Sequence, residues 1–325
     1  MRVTPSCDSI NSICISSANG IQTAPEVAFG NDNYMVVWSD ARIGGDFNIY
    51  GARVTPDGVV LDPDGMLIGR DSNEGQFEPS IAFTGTRFFV VWVYYSLPFA
   101  VVGRFVNCDG TLGDTVRIAS TADEGYETSV CFDGTNFLVV WTQYPELLKG
   151  QRVAADGNLI GSPFTIATGV ATLGSGSLCF DGNNYTVVYS VRNIDIFEIW
   201  GRQYDTSGNP LGPAFIISNP ANSSYDSYIV AGATNYFNVW THMEYPSDIY
   251  GNVDLQIGID AGGDDQPEMT PCGSTIISGP LRLPAGLEYR VFDITGRSVA
   301  PERMQPGIYF LEIESEIVQK VIKIK

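Results

Sequence analysis

The 325-residue sequence contains a single histidine, His242, and only 18 lysines and arginines against 37 aspartates and glutamates. A Ser–His–Asp triad and a histidine-based metal site both need an imidazole, so this scarcity argues against both kinds of site. The formal charge of −19 argues against nucleic-acid binding, because such proteins neutralise phosphates with clustered lysine and arginine. No GxxxxGK[ST] or GxGxxG motif follows a strand in a helical context, which leaves a nucleotide site without support.

Long apolar runs and paired cysteine motifs are also missing. No run of 18 apolar residues occurs, so the sequence predicts no membrane-spanning helix. The start, MRVTPSCDSINS, lacks the basic and apolar regions of a signal peptide, so either such a segment has been removed or export takes another route. The six cysteines form no CxxC pair, which argues against structural zinc. Cys131 and Cys179 are predicted to be small buried core residues. Cys7 and Cys272 flank the two ends of the repeat region, where a disulfide would clamp a closed ring.

What the sequence does contain is a repeat of about 50 residues. Short apolar runs rich in Val, Ile, Phe and Tyr are bounded by Gly, Asn or Asp, which predicts strands joined by tight turns and little helix. The second run of each repeat ends in a large aromatic residue that is predicted to pack between blades. These residues are Trp38, Trp92, Trp141, Tyr189 and Trp240. Four strands per repeat correspond to one blade of a β-propeller, so the sequence predicts five blades.

The two ends of the repeat region predict how the ring closes. The fifth repeat has three strands and then enters a Gly/Asp-rich segment, whereas residues 12–29 parallel residues 115–132, which include a fourth strand. A blade edge left unpaired is unfavourable, so the stack of repeats must end or close. We therefore expect an all-β, five-bladed propeller over residues 1–258, closed by an N-terminal strand at 12–16 that pairs with the chain near Asn252.

The C-terminal residues carry a family resemblance. A turn-rich stretch at 259–273 is predicted to be a linker. After it, VFDITGRSV at 291–299, MQPGIYFLEIE at 304–314 and the closing KVIKIK resemble the C-terminal sorting domain of cargo of the bacterial type IX secretion system. The resemblance implies that residues 274–325 form a small Ig-like β-sandwich that the secretion translocon recognises and that is often removed on export. It also implies an extracellular or outer-cell-surface location in a bacterium.

The repeats themselves resemble bacterial extracellular propeller proteins with the pattern Phe-Asp-Gly-x-Asn-Tyr-Leu-Val-Val-Trp. Those proteins are mostly of unknown activity, so this resemblance bears on fold more than on function.

The two sets of connections within the repeats predict which face binds a ligand. The turns between first and second strands are tight and repetitive, whereas the loops after the second strands vary in length and composition. Variable loops on a rigid scaffold are where binding residues usually lie. Their aromatic residues would either present ring faces to a ligand or pack against neighbouring loops. These residues are Tyr94, Tyr95, Phe99, Tyr144, Phe197 and Tyr245.

One position near the start of each innermost strand is predicted to lie at the mouth of the central channel on the same face. Its occupants in the five repeats are Ala24, Glu78, Glu127, Ser175 and Asp226. Gathered carboxylates raise one another's pKa and favour a cation such as Ca²⁺ or a hydroxyl-rich ligand. The alternative is that each carboxylate caps a local turn or faces solvent. No other cofactor is predicted.

Three classes of function remain open. The favoured one is a secreted or cell-surface propeller without enzymatic activity that binds carbohydrate, another extracellular polymer or a surface protein through its variable face. The second is a structural protein that assembles with its own copies in an envelope layer or filament, bridged by divalent cations. The third is a glycoside hydrolase in which Glu78, Glu127 and Asp226 act as acid, base or nucleophile, and modulator. Some glycosidases are five-bladed propellers with acidic residues around the channel mouth, but the repeats show none of their local motifs.

Overall fold

A computed structural model describes most of the chain. The described residues are 2–3, 9–43, 46–70, 75–95, 98–121, 125–170, 176–193, 196–218, 223–232, 235–242, 248–253, 274–277, 289–293, 297–300, 303–305, 307–313 and 316–323. They form β-strands, turns and loops. Among them no helix has the length and apolar character needed to span a bilayer.

Five antiparallel sheets form the blades, each with its innermost strand first in sequence. A hairpin of β1 (Arg2–Val3) and β2 (Ser9–Asn11) precedes them. Blade one has β3 (Gln22–Gly30), β4 (Asn33–Asp40), β5 (Asn48–Val54) and β6 (Met66–Gly69). Blade two has β7 (Gln76–Phe83), β8 (Arg87–Tyr94), β9 (Phe99–Asn107) and β10 (Leu112–Thr121). Blade three has β11 (Gly125–Phe132), β12 (Asn136–Gln143), β13 (Leu147–Ala154) and β14 (Leu159–Thr168). Blade four has β15 (Ser177–Phe180), β16 (Tyr185–Asn193), β17 (Ile196–Tyr204) and β18 (Phe215–Ile216). Blade five begins with β19 (Ser224–Ala231), β20 (Tyr236–His242) and β21 (Asp248–Val253). The predicted all-β, five-bladed propeller is confirmed.

The tight first turn of each blade follows from its sequence. In blade three, Asp133 accepts hydrogen bonds at its Oδ1 from the backbone N–H groups of Thr135 and Asn136, at 2.8 and 2.6 Å. Gly134, which follows Asp133, has φ +94°, a conformation that favours glycine. Asp181 makes the same pair of bonds in blade four. The repeated Asp-Gly sequence therefore fixes the register of the first two strands of these blades.

The apolar core lies between neighbouring blades, because alternate residues of each strand point to opposite sheet faces. In β12, Val139 and Trp141 pack toward blade two, whereas Leu138 and Val140 pack toward blade four. The predicted burial of the five repeat aromatics is confirmed. Trp38, Trp92, Trp141, Tyr189 and Trp240 are all buried.

The side of blade one that faces blade five differs from the other blade interfaces. Ile81 of blade two is 8% exposed, whereas Val27 at the same repeat position of blade one is 56% exposed. Phe88 and Tyr34 show the same contrast, at 1% and 40%. The facing side of blade five also exposes apolar side chains, namely Val230, Phe237 and Ile249. The described residues therefore leave an open seam between blades five and one.

The predicted closure by an N-terminal strand at 12–16 is wrong. Residues 12–21 contain no strand and lie on blade one, where Ile15 packs against the cluster of Trp38 and Tyr50. By repeat register these two rings lie on the seam side of blade one, which no neighbouring blade covers. Burying apolar surface there stabilises the fold, so the preceding segment covers blade one instead of extending blade five.

Blade five takes its fourth strand from the C-terminal part of the chain. β22 (Ser274–Ile277) pairs antiparallel with β21, with Ser274 opposite Val253 and Thr275 opposite Asn252. This pairing occupies the edge that the N-terminal segment was expected to fill.

The remaining C-terminal strands continue the same sheet outward. They are β23 (Tyr289–Asp293), β24 (Gly307–Ile313) and β25 (Glu316–Lys323). β25 pairs parallel with β22, and the order β19-β20-β21-β22-β25-β24-β23 makes one seven-stranded sheet. The Ig-like sandwich is therefore not confirmed, and the boundary before Ser274 stays a prediction. The predicted linker at 259–273 and both Cys7 and Cys272 lie outside the described residues.

Candidate functional site

A bulge with left-handed backbone recurs near the start of the innermost strands. The pairing of the first two strands shifts register between Phe77 and Ser80, and Glu78 within this bulge has φ +50°. Ala24, Glu127 and Asp226, at the same repeat position, have φ +49°, +44° and +52°. Because an alanine shares this conformation with the acidic residues, the bulge belongs to the repeat and not to any one side chain. Ser175 lies outside the described residues.

The bulge positions line a central cavity of about 550 Å³, walled by the innermost strands of all five blades. The structure brings Glu78, Glu127 and Asp226 to this cavity, where the sequence placed them. Two ionisable residues that were not predicted, Glu26 and Tyr228, also line it. The acidic site is therefore larger than the sequence-based trio.

The two missed residues occupy a second repeat position, two residues after the bulge. Ser80 and Ser177 hold this position in blades two and four, and their hydroxyl oxygens accept the backbone N–H groups of Val130 and Ile229 in the next blade. The distances are 3.2 and 3.3 Å. Blades one and five, which border the seam, carry Glu26 and Tyr228 instead. A comparison of this second position across repeats could have found them.

Burial and nearby negative charge shift the pKa values of several groups in this cavity. Burial raises the pKa of Glu26, and the negative charge of Glu78 raises it further. Burial also raises the pKa of Glu78 and that of Asp226, although both side chains reach solvent at the mouth. The pKa of the Tyr228 hydroxyl is raised by burial and then by the charges of Glu26, Glu127, Asp226 and Glu78. All four carboxyl groups therefore act on one phenol.

The carboxyl groups surround the cavity without meeting at one point. Within the part of the chain that the structure describes, no three or more His, Cys, Asp or Glu side chains form a group that could hold a metal ion. The Ca²⁺ site stays a prediction without support from this geometry. A spread of acceptors suits a larger ligand with several hydroxyl donors.

An aromatic pocket of about 330 Å³ adjoins the cavity and shares Glu78 and Glu127 with it. Phe77, Tyr95 and Tyr126 line its wall. The Tyr95 ring lies 5.7 Å from that of Phe77 and 6.4 Å from that of Tyr126, between ring centroids. These contacts hold the aromatic wall beside two carboxyl groups.

The other predicted aromatic residues lie elsewhere. Phe99 is buried with its ring centroid 4.6 Å from that of Tyr95, so it supports the aromatic pocket from behind. Tyr94 lines a different pocket, between blades one and two. Tyr144 is exposed after β12 and lines neither the cavity nor the aromatic pocket. Phe197 is half-buried in β17, and Tyr245 lies outside the described residues.

Comparison with known proteins gives a fold likeness and no family. No protein-family model and no curated protein matches the sequence. A GH43 β-1,3-galactosidase with galactodeoxynojirimycin aligns at TM-score 0.49 and 10% identity, over 73% of this chain and 92% of its own. An endo-arabinase from Bacteroides thetaiotaomicron aligns at 0.48 and 12%, over 74% and 96%. The arabinanase Arb43A from Bacillus subtilis aligns at 0.45 and 14%, over 72% and 95%. Likeness at this level says nothing about the activity of this chain.

Proposed function

We propose that the protein binds carbohydrate at the mouth of the central cavity, with the aromatic pocket as an adjoining subsite. The observation that carries this proposal is that Glu78 and Glu127 line both spaces. Carboxylates accept hydrogen bonds from sugar hydroxyls, and aromatic rings offer rigid apolar surface for the carbon face of a sugar ring. An apolar wall with a few convergent polar groups is the usual composition of a small-molecule site.

The charge of the site selects among carbohydrates. Four carboxyl groups line the cavity, and the whole chain carries a formal charge of −19. Bringing a uronic acid or a sulfated sugar to this mouth would place like charges together in a partly buried space, which is unfavourable. Neutral sugars are therefore the favoured ligands at this site.

A glycan array probed with the full chain, followed by calorimetry on the best neutral ligand, tests the proposal. The double variant Glu78→Gln/Glu127→Gln keeps side-chain size and removes both charges, and we expect at least about tenfold weaker binding, or ~1.4 kcal/mol. Glu146→Gln, at an exposed turn residue of blade three, is the matched control and should bind as the wild type does. Absence of binding to every neutral glycan, or equal affinity in the double variant, would count against the proposal.

One observation favours a second candidate function, glycoside hydrolysis. Burial and the negative charge of Glu78 both raise the pKa of Glu26. A raised carboxyl pKa beside a second carboxyl group is the arrangement from which glycosidases draw their general acid. Here Glu26→Gln should abolish release of nitrophenol from 4-nitrophenyl glycosides while carbohydrate binding persists. Hydrolysis that survives this substitution would rule out Glu26 as the acid.

We further propose export to the cell surface or medium, which rests on the sequence resemblance of residues 274–325. A reporter fused to these residues should leave a bacterium that has a type IX system, and the same reporter without them should stay inside. Retention of both fusions would contradict the proposal. Self-assembly into a layer or filament stays a prediction from the sequence.

A further inference from the structure

A basic pocket lies between blades one and two, apart from the acidic cavity. Its volume is about 270 Å³, and Arg70, Arg104 and Arg117 line it. None of its described lining residues is acidic, although the chain has twice as many acidic as basic residues. We propose that this pocket binds a small oxyanion, namely a sulfate, phosphate or carboxylate group. The inference goes beyond the proposed function, which uses the acidic mouth.

Two of these arginines donate to described groups that carry no negative charge. Arg104 on β9 donates from Nε to the Gly113 carbonyl at 2.8 Å and from Nη1 to the Ile68 carbonyl at 2.9 Å. Both acceptors are neutral backbone groups, so the guanidinium charge is positioned but not neutralised. Arg117 on β10 donates from Nε to the hydroxyl oxygen of Ser120.

Two other described arginines do pair with carboxylates. Arg42 forms an ion pair with Asp40, and Arg53 forms one with Asp62 at 2.8 Å. Arg87 and Arg202, like Arg104, donate to backbone carbonyls, so a guanidinium without a carboxylate partner does not by itself mark a site. In the basic pocket the forked guanidinium donors remain available for an oxyanion, whose geometry they match.

A buried donor without an acceptor supplies an independent reason to expect a ligand. Trp92 lines the basic pocket, is 3% exposed, and its indole N–H has no hydrogen-bond partner. Trp38, at the same repeat position in blade one, donates its N–H to Asp40 at 2.8 Å. Blade two carries Tyr94 where blade one has Asp40, so no carboxylate stands at this repeat position to accept the indole N–H. A buried polar group left unpaired costs about 1–3 kcal/mol, which an oxyanion ligand would recover.

An unpaired indole N–H is not a site on its own, because that of Trp141 is unpaired as well. The guanidinium groups distinguish the pocket at Trp92, and so does a second buried group there. The Oε1 atom of Gln76, a residue 2% exposed, also lacks a partner. An anionic group that also carries a hydroxyl would satisfy both, accepting from Trp92 and donating to Gln76.

Gly69 lets two of the lining side chains pack closely against the backbone of β6. A Cβ atom at position 69 would overlap Oε1 of Gln76 and lie 2.8 Å from Cζ2 of Trp92. Gln76 and Trp92 therefore already fill the position that a side chain would take, and a substitution at Gly69 would displace them from the pocket wall. The volume of about 270 Å³ equals the liquid volume of roughly nine waters, which is enough for an oxyanion with part of an attached skeleton.

The test uses the full chain and the indole N–H signals of its five tryptophans in ¹H–¹⁵N NMR. The Trp92 signal is assigned by its loss in Trp92→Phe. Sodium sulfate, phosphate and glucuronate are titrated separately against sodium chloride at constant ionic strength. We expect a saturable shift of the Trp92 signal with at least one oxyanion and none with chloride. The tightest of the three identifies which oxyanion the pocket takes.

The double variant Arg70→Gln/Arg117→Gln removes two charges and keeps the structural bonds of Arg104. It should weaken that oxyanion at least about tenfold, as expected when charge-assisted bonds are lost. Arg192→Gln/Arg303→Gln, at two exposed arginines elsewhere, removes the same charge and should leave the affinity unchanged. A linear shift with every ion, or equal affinities in both double variants, would overturn the proposal.

Discussion

The open seam between blades five and one makes a direct prediction for stability. Phe88 and Tyr34 occupy the same repeat position, but Phe88 lies in the core between blades one and two, whereas Tyr34 lies at the seam. Phe88 is 1% exposed, with its ring centroid 4.8 Å from that of Phe83. Replacing a buried phenylalanine with alanine costs about 3–5 kcal/mol, from lost burial and the cavity left behind. Phe88→Ala should therefore destabilise the protein by about that amount.

Tyr34→Ala should cost much less. The Tyr34 side chain is 40% exposed, and its described ring contact is with Phe29, at 4.9 Å between centroids, which is itself exposed. An exposed aromatic pair contributes about 0.5–1.5 kcal/mol. The losses in unfolding free energy caused by the two substitutions should thus differ by about 3 kcal/mol. If blades five and one were packed together, the two losses would be similar.

Urea unfolding followed by tryptophan fluorescence and by circular dichroism measures the difference, and the comparison holds where both probes give one transition. Phe89→Ala is the second buried control, because Phe89 is fully buried on the opposite face of β8. It should also cost about 3–5 kcal/mol. A cost above about 3 kcal/mol for Tyr34→Ala would refute the reasoning, because it would mean that blades five and one are packed together in solution.

Three further predictions concern titration, thiols and the C-terminal strands. Glu26→Gln should stabilise the protein at pH 7 and have no effect near pH 4. The reason is that a carboxyl pKa raised in the folded state favours folding below the unfolded pKa, and this contribution is lost as the pH rises through the folded pKa. Unfolding measured at both pH values, with Glu146→Gln as the control, checks this, and a gain in stability at both would contradict it. Burial raises the pKa of Cys131 to about 11 and that of Cys179 to about 12, so mass-spectrometric mapping after maleimide labelling at pH 7.5 should find the exposed Cys14 modified and these two unmodified. Deleting residues 274–325 removes β22, so amide hydrogens of β21 should exchange faster; unchanged protection of Asn252 and Val253 would refute the pairing.

The sequence predicted those features that each repeat encodes by itself. The Asp-Gly turns, the alternation of apolar residues and the terminal aromatic are local signals, so the strands, the blade count and the burial of residues such as Trp141 followed from them. The position of Glu78 and Glu127 at the cavity was also predicted, because it depends only on their place within the repeat, a fixed number of residues before the end of the innermost strand. Glu26 was missed because the position two residues after the bulge holds a serine in other repeats, and the replacement is visible only when the repeats are aligned. The basic pocket was missed because its arginines come from three different strands or loops.

Closure of the ring could not be decided from local signals. The N-terminal segment and the segment Ser274–Ile277 could each pair with the outer edge of blade five. The N-terminal segment could also pack on the seam side of blade one. The β-branched run Ser274–Ile277 pairs with β21 and continues into β25, whereas the N-terminal segment buries Ile15 against Trp38 and Tyr50. The same pairing bears on export, because cleavage before Ser274 would remove the fourth strand of blade five and leave the β21 edge unpaired. A mature protein without residues 274–325 would therefore expose the backbone N–H and C=O groups of β21 that β22 now pairs.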